Sequence, residues 1–212
     1  MELFFYYKII MKLVFTGIQG CGKGTQARIL VENHGYTLVE MGQEFRNLVA
    51  SGTELWNTIK AILESGEQVN AELWIKIMET VIEKQTADKI IFDGFIRNDW
   101  NKEIFDRILP DYTAIFFNLS EEKAKQRLLG RMFNQTTGET FPHGTTIDPK
   151  TGEELIQRKD DNEESILTRI AEYVNKTLPI IEIQKQEGKV VEVNADQAIE
   201  KVASELAEKL GL

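Results

Sequence analysis

KLVFTGIQGCGKGT, residues 12–25, is the stretch that decides the fold. A short apolar run is followed by four glycines, a lysine and the helical pattern QARILVENH. A strand, a glycine-rich turn and a helix start in this order form a loop whose backbone N–H groups surround polyphosphate. Lys23 adds a positive charge for the terminal phosphates, and Thr25 adds a hydroxyl near phosphate or magnesium. The stretch therefore predicts a phosphate-binding loop.

Two details of this loop leave alternatives open. Gly24 separates the lysine from Thr25, whereas the strict P-loop pattern has a hydroxyl residue directly after the lysine. A dinucleotide-binding fold is the rival interpretation, because Glu40 ends the second apolar run where a ribose-binding acid would lie. Its glycine pattern is broken, however, since Thr25 stands where the third glycine belongs. Cys21 is interpreted as a small loop filler, with an acidified reactive thiol as the alternative.

Composition limits the class of protein. The chain has 212 residues, of which 42% are apolar and 28% charged, so we expect one soluble globular domain with insertions. A net charge of −9 repels nucleic acid and anionic lipid, so we expect neither as a partner. The single cysteine excludes an internal disulfide and a cysteine-rich zinc site, and it fits a reducing cytoplasm.

The first ten residues, MELFFYYKII, are apolar but have no basic leader and no small-residue cleavage site. We interpret residues 1–10 as a cytoplasmic extension, with Met11 as an alternative start. No later run approaches the 18 apolar residues of a membrane span.

Short β-branched and aromatic runs alternate with longer amphipathic ones, which predicts an α/β fold with a parallel sheet covered by helices on both faces. Asp93 ends the third run, KIIFD, where a carboxylate beside a phosphate loop can hold magnesium directly or through water. A helical stretch at about 42–69 and a polar stretch at 133–154 depart from the alternation and are interpreted as insertions. The predicted strands are 12–16, 37–40, 89–93, 112–118 and 189–193.

Five ordered motifs carry a resemblance to a known family: GIQGCGKGTQ at 17–26, MGQEFR at 41–46, FDGFIR at 92–97, RLLGR at 127–131 and RKDDNEESILTRI at 158–170. In order and approximate spacing they resemble the adenylate kinases and their nucleoside monophosphate kinase relatives. The resemblance implies a P-loop three-layer fold with a five-stranded parallel sheet. It also implies a core at 11–39, 71–131 and 169–212, a helical monophosphate-binding insertion at 40–70 and a lid at 132–168.

The activity implied by the resemblance is transfer of the γ-phosphoryl group of ATP, bound with Mg²⁺, to AMP, by a cytoplasmic monomer. The implied residues fall into four sets. The catalytic set is Lys23, Arg97, Arg131, Arg158 and Arg169, with Asp160 and Asp161 as lid or hinge partners. The ATP-binding set is Gly20, Cys21, Gly22, Lys23, Gly24, Thr25, Arg127 and Gln197. The AMP-binding set is Met41, Arg46, Gln68, Val69, Gly94, Arg97 and Asn101, and the metal residue is Asp93.

Three positions depart from the family pattern. Met41 stands where a Thr is usual near the acceptor base, and Ile96 replaces a Pro whose peptide bond is expected to be cis. Because a cis bond before Ile costs about 2.5–4 kcal/mol, we predict a trans Phe95–Ile96 bond. Asn101 replaces the usual Gln, and an Asn at this spacing resembles the UMP/CMP kinases. Phosphorylation of UMP or CMP is therefore the first alternative function. A nucleotide-binding module without catalytic activity is the second alternative.

The lid positions that carry four cysteine-type ligands in some relatives correspond here to Asn134, Thr137, Asp148 and Thr151. These side chains lack the thiolates and imidazoles that a structural zinc site needs. We predict a hydrogen-bonded lid without structural zinc, against the alternative of four unrelated polar loop residues.

Overall fold

The computed structural model describes residues 11–50, 52, 71–157 and 161–212. Its centre is a sheet of five parallel strands in the order β2-β3-β1-β4-β8. The predicted α/β fold with a five-stranded parallel sheet is thereby confirmed. The strands of this sheet are β1 (Met11–Thr16), β2 (Thr37–Glu40), β3 (Lys89–Asp93), β4 (Thr113–Asn118) and β8 (Val190–Asn194).

Helices flank this sheet, and several begin at a side chain that caps the first turn. Asn98, Ser120 and Asn162 each accept a hydrogen bond from the backbone N–H three residues later, which satisfies an otherwise unpaired donor. The described helices are α1 (Lys23–His34), α2 (Met41–Ala50), α3 (Ala71–Glu83), α4 (Asp99–Ile108), α5 (Glu121–Leu129), α6 (Glu163–Glu172), α7 (Leu178–Gln186) and α8 (Ile199–Leu210).

A π-helical turn, Tyr173–Thr177, joins α6 to α7 without a break in the helix. Pro179 lies in the first turn of α7 and has no N–H to donate, which favours a change of hydrogen-bond register just before it. The hydroxyl of Thr177 donates to the carbonyl oxygen of Arg97 at 2.9 Å. This helix is therefore fastened to the turn after β3.

The core consists of two apolar clusters, one on each face of the sheet. Alternation along the strands separates them: Leu13 and Phe15 belong to one cluster, and Val14 between them belongs to the other. On the second face the rings of Phe92, Phe95 and Phe105 pack edge to face, with centroids 5.1–5.8 Å apart. Both faces of the three central strands, β1, β3 and β4, are thus buried, as their near-continuous apolar sequences predict.

The stretch after α5 forms a second, three-stranded antiparallel sheet in the order β6-β5-β7. Its strands are β5 (Met132–Phe133), β6 (Thr140–Phe141) and β7 (Ile156–Gln157). Helix α6 spans residue 168, the predicted end of the lid, and Ile166 on it lies in the main core cluster. None of the helices in the described ranges is long and apolar enough to cross a membrane.

Candidate active site

The phosphate loop, residues 17–23, follows β1 directly. Gly17, Gly20 and Gly22 have φ values of +137°, +86° and +97°, which strain any residue with a side chain. At Gly17 a Cβ would also lie 2.7 Å from the carbonyl oxygen of Phe117. The glycines therefore allow the loop to close tightly over the end of the sheet.

Lys23 begins α1 and folds back over this loop. Its Nζ donates to the carbonyl oxygens of Gly17 at 2.8 Å and Ile18 at 3.2 Å, and it lies 3.4 Å from Cys21 Sγ. The ammonium is thereby held at the mouth of the loop. Cys21 is buried in the core cluster, which agrees with its interpretation as a filler.

Asp93 lies beside the phosphate loop at the end of β3. The register of the sheet pairs it with Phe15 of β1 and Glu40 of β2. Burial raises the pKa of the Asp93 carboxyl above its ordinary value, although the positive charges of Lys23, Arg97 and Arg28 oppose this. A carboxylate and cations thus meet at the same edge of the sheet.

The turn after Asp93 carries the predicted acceptor residues. Gly94 has a φ of +79°, and a Cβ there would lie 2.9 Å from Arg97 Nη2, so the guanidinium folds back over this glycine. Asn101 is buried, and its Oδ1 accepts a hydrogen bond from the Arg97 backbone N–H at 3.3 Å. The Phe95–Ile96 peptide bond is trans, as predicted. Asn101 therefore braces the turn that presents Arg97.

Two predicted arginines meet on one buried carboxylate. Arg131 donates to both oxygens of Asp161, at 2.8 and 2.7 Å, and Arg169 donates to one of them at 2.9 Å. The side chain of Asp161 is fully buried, whereas both arginines are partly exposed. One carboxylate is thus shared by two guanidinium groups, so Asp161 holds the side chains of Arg131 and Arg169 close together.

Two further residues of the predicted ATP-binding set, Arg127 and Gln197, both contact the loop that follows β8. Arg127 is exposed on α5, and its Nη2 donates to the carbonyl oxygen of Ala195 at 3.0 Å. Gln197 lies two residues farther along the same loop, where its Nε2 donates to the Asn194 carbonyl oxygen and the Glu205 carboxylate. An exposed guanidinium beside a loop can pack against a planar base.

The lid knuckle, which we define as Asn134, Thr137, Asp148 and Thr151, is hydrogen-bonded as predicted. The Nδ2 of Asn134 donates to Asp148 Oδ2 at 2.7 Å and to Thr151 Oγ1 at 3.2 Å. Its Oδ1 accepts from two backbone amides, as does Oδ1 of Asp148. Among the described residues, no three His, Cys, Asp or Glu side chains gather as a metal site would require.

Electrostatics in this knuckle differ from those at Asp93. Burial tends to raise the pKa of Asp148, but hydrogen bonds from the Lys150 backbone, the Asn134 side chain and the Thr151 backbone outweigh burial and lower it. The carboxylate is thus held in its charged form by donors within the knuckle.

Some of the predicted segments and residues fall outside the described part of the chain. They are the extension at 1–10, Gln68, Val69, Arg158 and Asp160. Arg46 lies on α2. Met41, predicted to line the acceptor base, is buried in a core cluster at the start of α2.

Two residues at this edge were missed by the sequence reasoning. Arg28 acts on the pKa of Asp93, and a Cβ at Gly24 would lie 3.6 Å from its guanidinium. Its four-residue spacing from Gly24 on α1 was an available signal, because such pairs share a helix face. Thr177, which contacts the Arg97 turn, gave no local signal, because its partner is 80 residues away.

A magnesium ion fits the groups at this edge. Mg²⁺ prefers oxygen ligands, usually one or two carboxylates with water and substrate phosphates. The Asp93 carboxylate is such a group, and Thr25, two residues after Lys23 in the first turn of α1, would offer a hydroxyl oxygen.

Comparison with known proteins identifies the family of the chain. The adenylate kinase family model matches residues 15–189. The chain is 35% identical to an adenylate kinase of Chloroherpeton thalassium over 214 aligned residues, 94% of this chain and 98% of that protein. It is 36% identical to an adenylate kinase of Borrelia turicatae, with 93% and 98% covered. It is also 33% identical to UMP-CMP kinase 3 of Arabidopsis thaliana, with 90% and 84% covered.

The resemblance carried by the five sequence motifs is therefore confirmed. The chain belongs to the adenylate kinase family and is a phosphotransferase of the nucleoside monophosphate kinase type.

Proposed function

We propose that the chain transfers the γ-phosphoryl group of ATP, bound with Mg²⁺, to AMP and gives two molecules of ADP. The observation that carries this proposal is the meeting of Lys23, Asp93 and Arg97 at one edge of the sheet, close enough for both cations to act on the Asp93 pKa. The relatives named adenylate kinase over nearly their whole length support AMP as the acceptor.

On the donor side, the phosphate loop holds ATP through its backbone N–H groups and through Lys23. The Lys23 ammonium now rests on carbonyl oxygens of the loop, and it moves to the β- and γ-phosphates when nucleotide binds. Arg127 packs against the adenine beside the loop that contains Gln197.

On the acceptor side, Arg97 and Arg46 hold the phosphate of the monophosphate. An oxygen of this phosphate attacks the γ-phosphorus, the new P–O bond forms, and the bond from that phosphorus to the β-phosphate oxygen breaks. ADP leaves with the electron pair of the broken bond. Positioning and charge neutralisation account for most catalysis of such a transfer.

Arg131 and Arg169 contact the transferring group, and Asp161 fixes their orientation. Arg158 joins them in this role. Asp93 would hold the magnesium ion, directly or through water, and the ion would supply positive charge that offsets the charge of the ATP phosphates.

The base of the acceptor is the point at which UMP or CMP competes with AMP. In the structure, Oδ1 of Asn101 is bonded to the Arg97 backbone, so its NH₂ group is what remains for a base. A Gln at this position would reach farther by one methylene. Asn101 and the relative named UMP-CMP kinase 3 favour a pyrimidine, whereas the adenylate kinase relatives favour AMP.

A coupled assay of the purified protein with AMP, CMP, UMP, dTMP and GMP tests the proposal. We expect turnover with AMP to have the highest kcat/KM. A tenfold or greater preference for CMP or UMP would replace AMP by a pyrimidine acceptor, and absence of turnover with all five would favour the non-catalytic module. Asn101→Gln then tests the residue: a change of preference in this variant would identify Asn101 as its cause.

A further inference from the structure

The carboxamide of Gln19, in the phosphate loop, contains an unpaired buried atom. Its Oε1 is shielded from solvent and has no hydrogen-bond partner within the described part of the chain. A buried acceptor without a donor is unfavourable, because it has lost its hydrogen bonds to water and gained none. The loop would be more stable without this group, so its presence calls for a partner that comes from outside the chain.

The backbone around Gln19 makes this choice of residue more unusual. Cys21 N donates to the Ile18 carbonyl oxygen at 3.2 Å, and Gly20 has a φ of +86°. These features define a type II turn in which Gln19 is the second residue, a position where proline is common because its ring presets φ. The chain therefore lacks the residue that would rigidify the turn and carries an unpaired polar side chain instead. Breaks of a local rule of this kind are expected at functional sites.

Nearby groups show what kind of partner is missing. The ammonium of Lys23 could donate, but its hydrogen bonds go to Gly17, Ile18 and Cys21. Phosphate oxygens at neutral pH accept hydrogen bonds, so they cannot pair with a carboxamide oxygen. Water bound to a metal ion does donate, and Mg²⁺ usually keeps several waters when it binds a nucleotide. Asp93, the residue assigned to the ion, lies at the same end of the sheet.

We propose that Gln19 is a positioning residue for Mg²⁺: its Oε1 accepts a hydrogen bond from a water of the ion's hydration shell when the magnesium–nucleotide complex occupies the loop. Outer-shell contacts of this kind orient the ligands of an ion and strengthen its binding. This inference rests on the proposed function, since it requires that the loop bind a nucleotide with magnesium.

The test compares ATP binding by calorimetry in Mg²⁺ and in EDTA, for the wild-type chain and for Gln19→Ala and Gln19→Pro. Both variants remove the carboxamide, and the second also suits the turn. We expect each variant to bind ATP about tenfold more weakly in Mg²⁺, at the lower end of the range for outer-shell changes. We expect affinity in EDTA to stay within twofold of the wild type. The melting temperature without ligand should be unchanged or higher, and highest for Gln19→Pro.

Gln26 provides the matched control. It lies in the first turn of α1, is buried, and also has an unpaired Oε1, but its Nε2 donates to the carbonyl oxygen of Ile199 at the start of α8. Gln26→Met should lower the melting temperature and leave ATP affinity unchanged in both media.

Equal affinities of wild type and both Gln19 variants in Mg²⁺ would overturn the inference and leave the proposed function intact. An equal loss in Mg²⁺ and EDTA would also overturn it, because the carboxamide would then contact the nucleotide itself. If the wild type bound no ATP in either medium, the proposed function would fail instead.

Discussion

The phosphate loop and the lid knuckle are both tight turns with polar side chains, yet they treat those side chains in opposite ways. In the lid knuckle Asn134 and Asp148 are fully buried, and each is paired through both ends of its side chain. In the phosphate loop, Gln19 Oε1 is buried and unpaired. The paired groups hold the lid knuckle together, whereas the unpaired Gln19 oxygen is the one that we assign to a ligand.

The carboxylates of the two regions repeat the contrast. Donors within the knuckle overcome burial and lower the pKa of Asp148, whereas at Asp93 burial outweighs the nearby cations and raises the pKa. The charged form of the carboxyl group is therefore favoured at Asp148 and disfavoured at Asp93. Changes in the ligand-binding region should thus affect activity, and changes in the knuckle should affect stability.

The largest expected effect is on turnover, from Arg97→Ala. Removal of one preorganised charge donor costs about 3–4 kcal/mol of transition-state stabilisation, or roughly 10²–10³ in rate. The melting temperature should hardly change, because the Arg97 side chain is exposed. Steady-state kinetics and calorimetry measure the two effects. Arg107→Ala, an exposed arginine on α4, is the control and should keep full activity. Retained activity, or a collapse of stability, would contradict the assignment of Arg97.

In the knuckle, Asn134→Ala should lower stability. It removes one of the donors to the buried Asp148 carboxylate and the acceptor of two backbone amides. The expected loss is about 1–3 kcal/mol, or roughly 2–4 °C of melting temperature for each kcal/mol. Amide hydrogen exchange across 132–157 should accelerate. Thr146→Ala, an exposed residue in the same stretch, serves as the control. Unchanged exchange in Asn134→Ala would show that the network contributes nothing to lid stability.

The two carboxylates should respond to pH with opposite signs. A raised pKa at Asp93 means that its contribution to stability is complete below the ordinary value of 3.8 and is lost as pH rises through the raised value. The contribution of Asp148 is present above 3.8 and is lost as pH falls through its lowered value. Asp93→Asn should therefore stabilise the ligand-free protein at pH 7, and Asp148→Asn should destabilise it.

Melting temperatures between pH 3 and pH 8, measured without nucleotide for both variants and the wild type, test this pair of signs. The same direction of change for both variants at pH 7 would remove the electrostatic part of the contrast between the two regions.

The smallest expected effect concerns the surface of the knuckle. Lys150 forms an ion pair with Glu32 of α1 at 2.8 Å, but both side chains are more than half exposed. Exposed pairs contribute at most about 1 kcal/mol and often much less. Lys150→Ala should therefore lower the melting temperature by less than Asn134→Ala does. The effect of Lys150→Ala should become smaller still in high salt, because salt screens the exposed pair. A larger loss in Lys150→Ala would mean that the exposed pair, rather than the buried network, holds the lid.

Much of this architecture was predictable because its signals are local. The strand KIIFD is apolar between its two charged end residues, and 89–93 is the observed β3. The phosphate loop was recognisable because its glycines and Lys23 are adjacent in sequence. The predicted pairing in the lid knuckle followed from the resemblance, and the structure brings its four residues together.

The remainder depended on contacts between distant parts of the chain. The sequence cannot tell whether Gln19 finds a donor, because that depends on atoms brought near by folding. We expected Asn101 to contact the base of the acceptor. Its hydrogen bond with the Arg97 backbone N–H forms only when the turn after β3 is folded, so the sequence does not reveal it. Met41 is buried because the start of α2 packs against the core, which its sequence position after β2 does not reveal.

The π-helical turn between α6 and α7 has a mechanical consequence. Arg169 lies on α6 before this turn, and the hydroxyl of Thr177, eight residues later, donates to the Arg97 carbonyl oxygen. A rotation of the helix about its axis therefore displaces Arg169 and pulls on the Arg97 turn in the same movement. One helix therefore connects Arg169, assigned to the transferring group, with Arg97, assigned to the acceptor phosphate. The five residues of the π-helical turn set the distance between these two side chains.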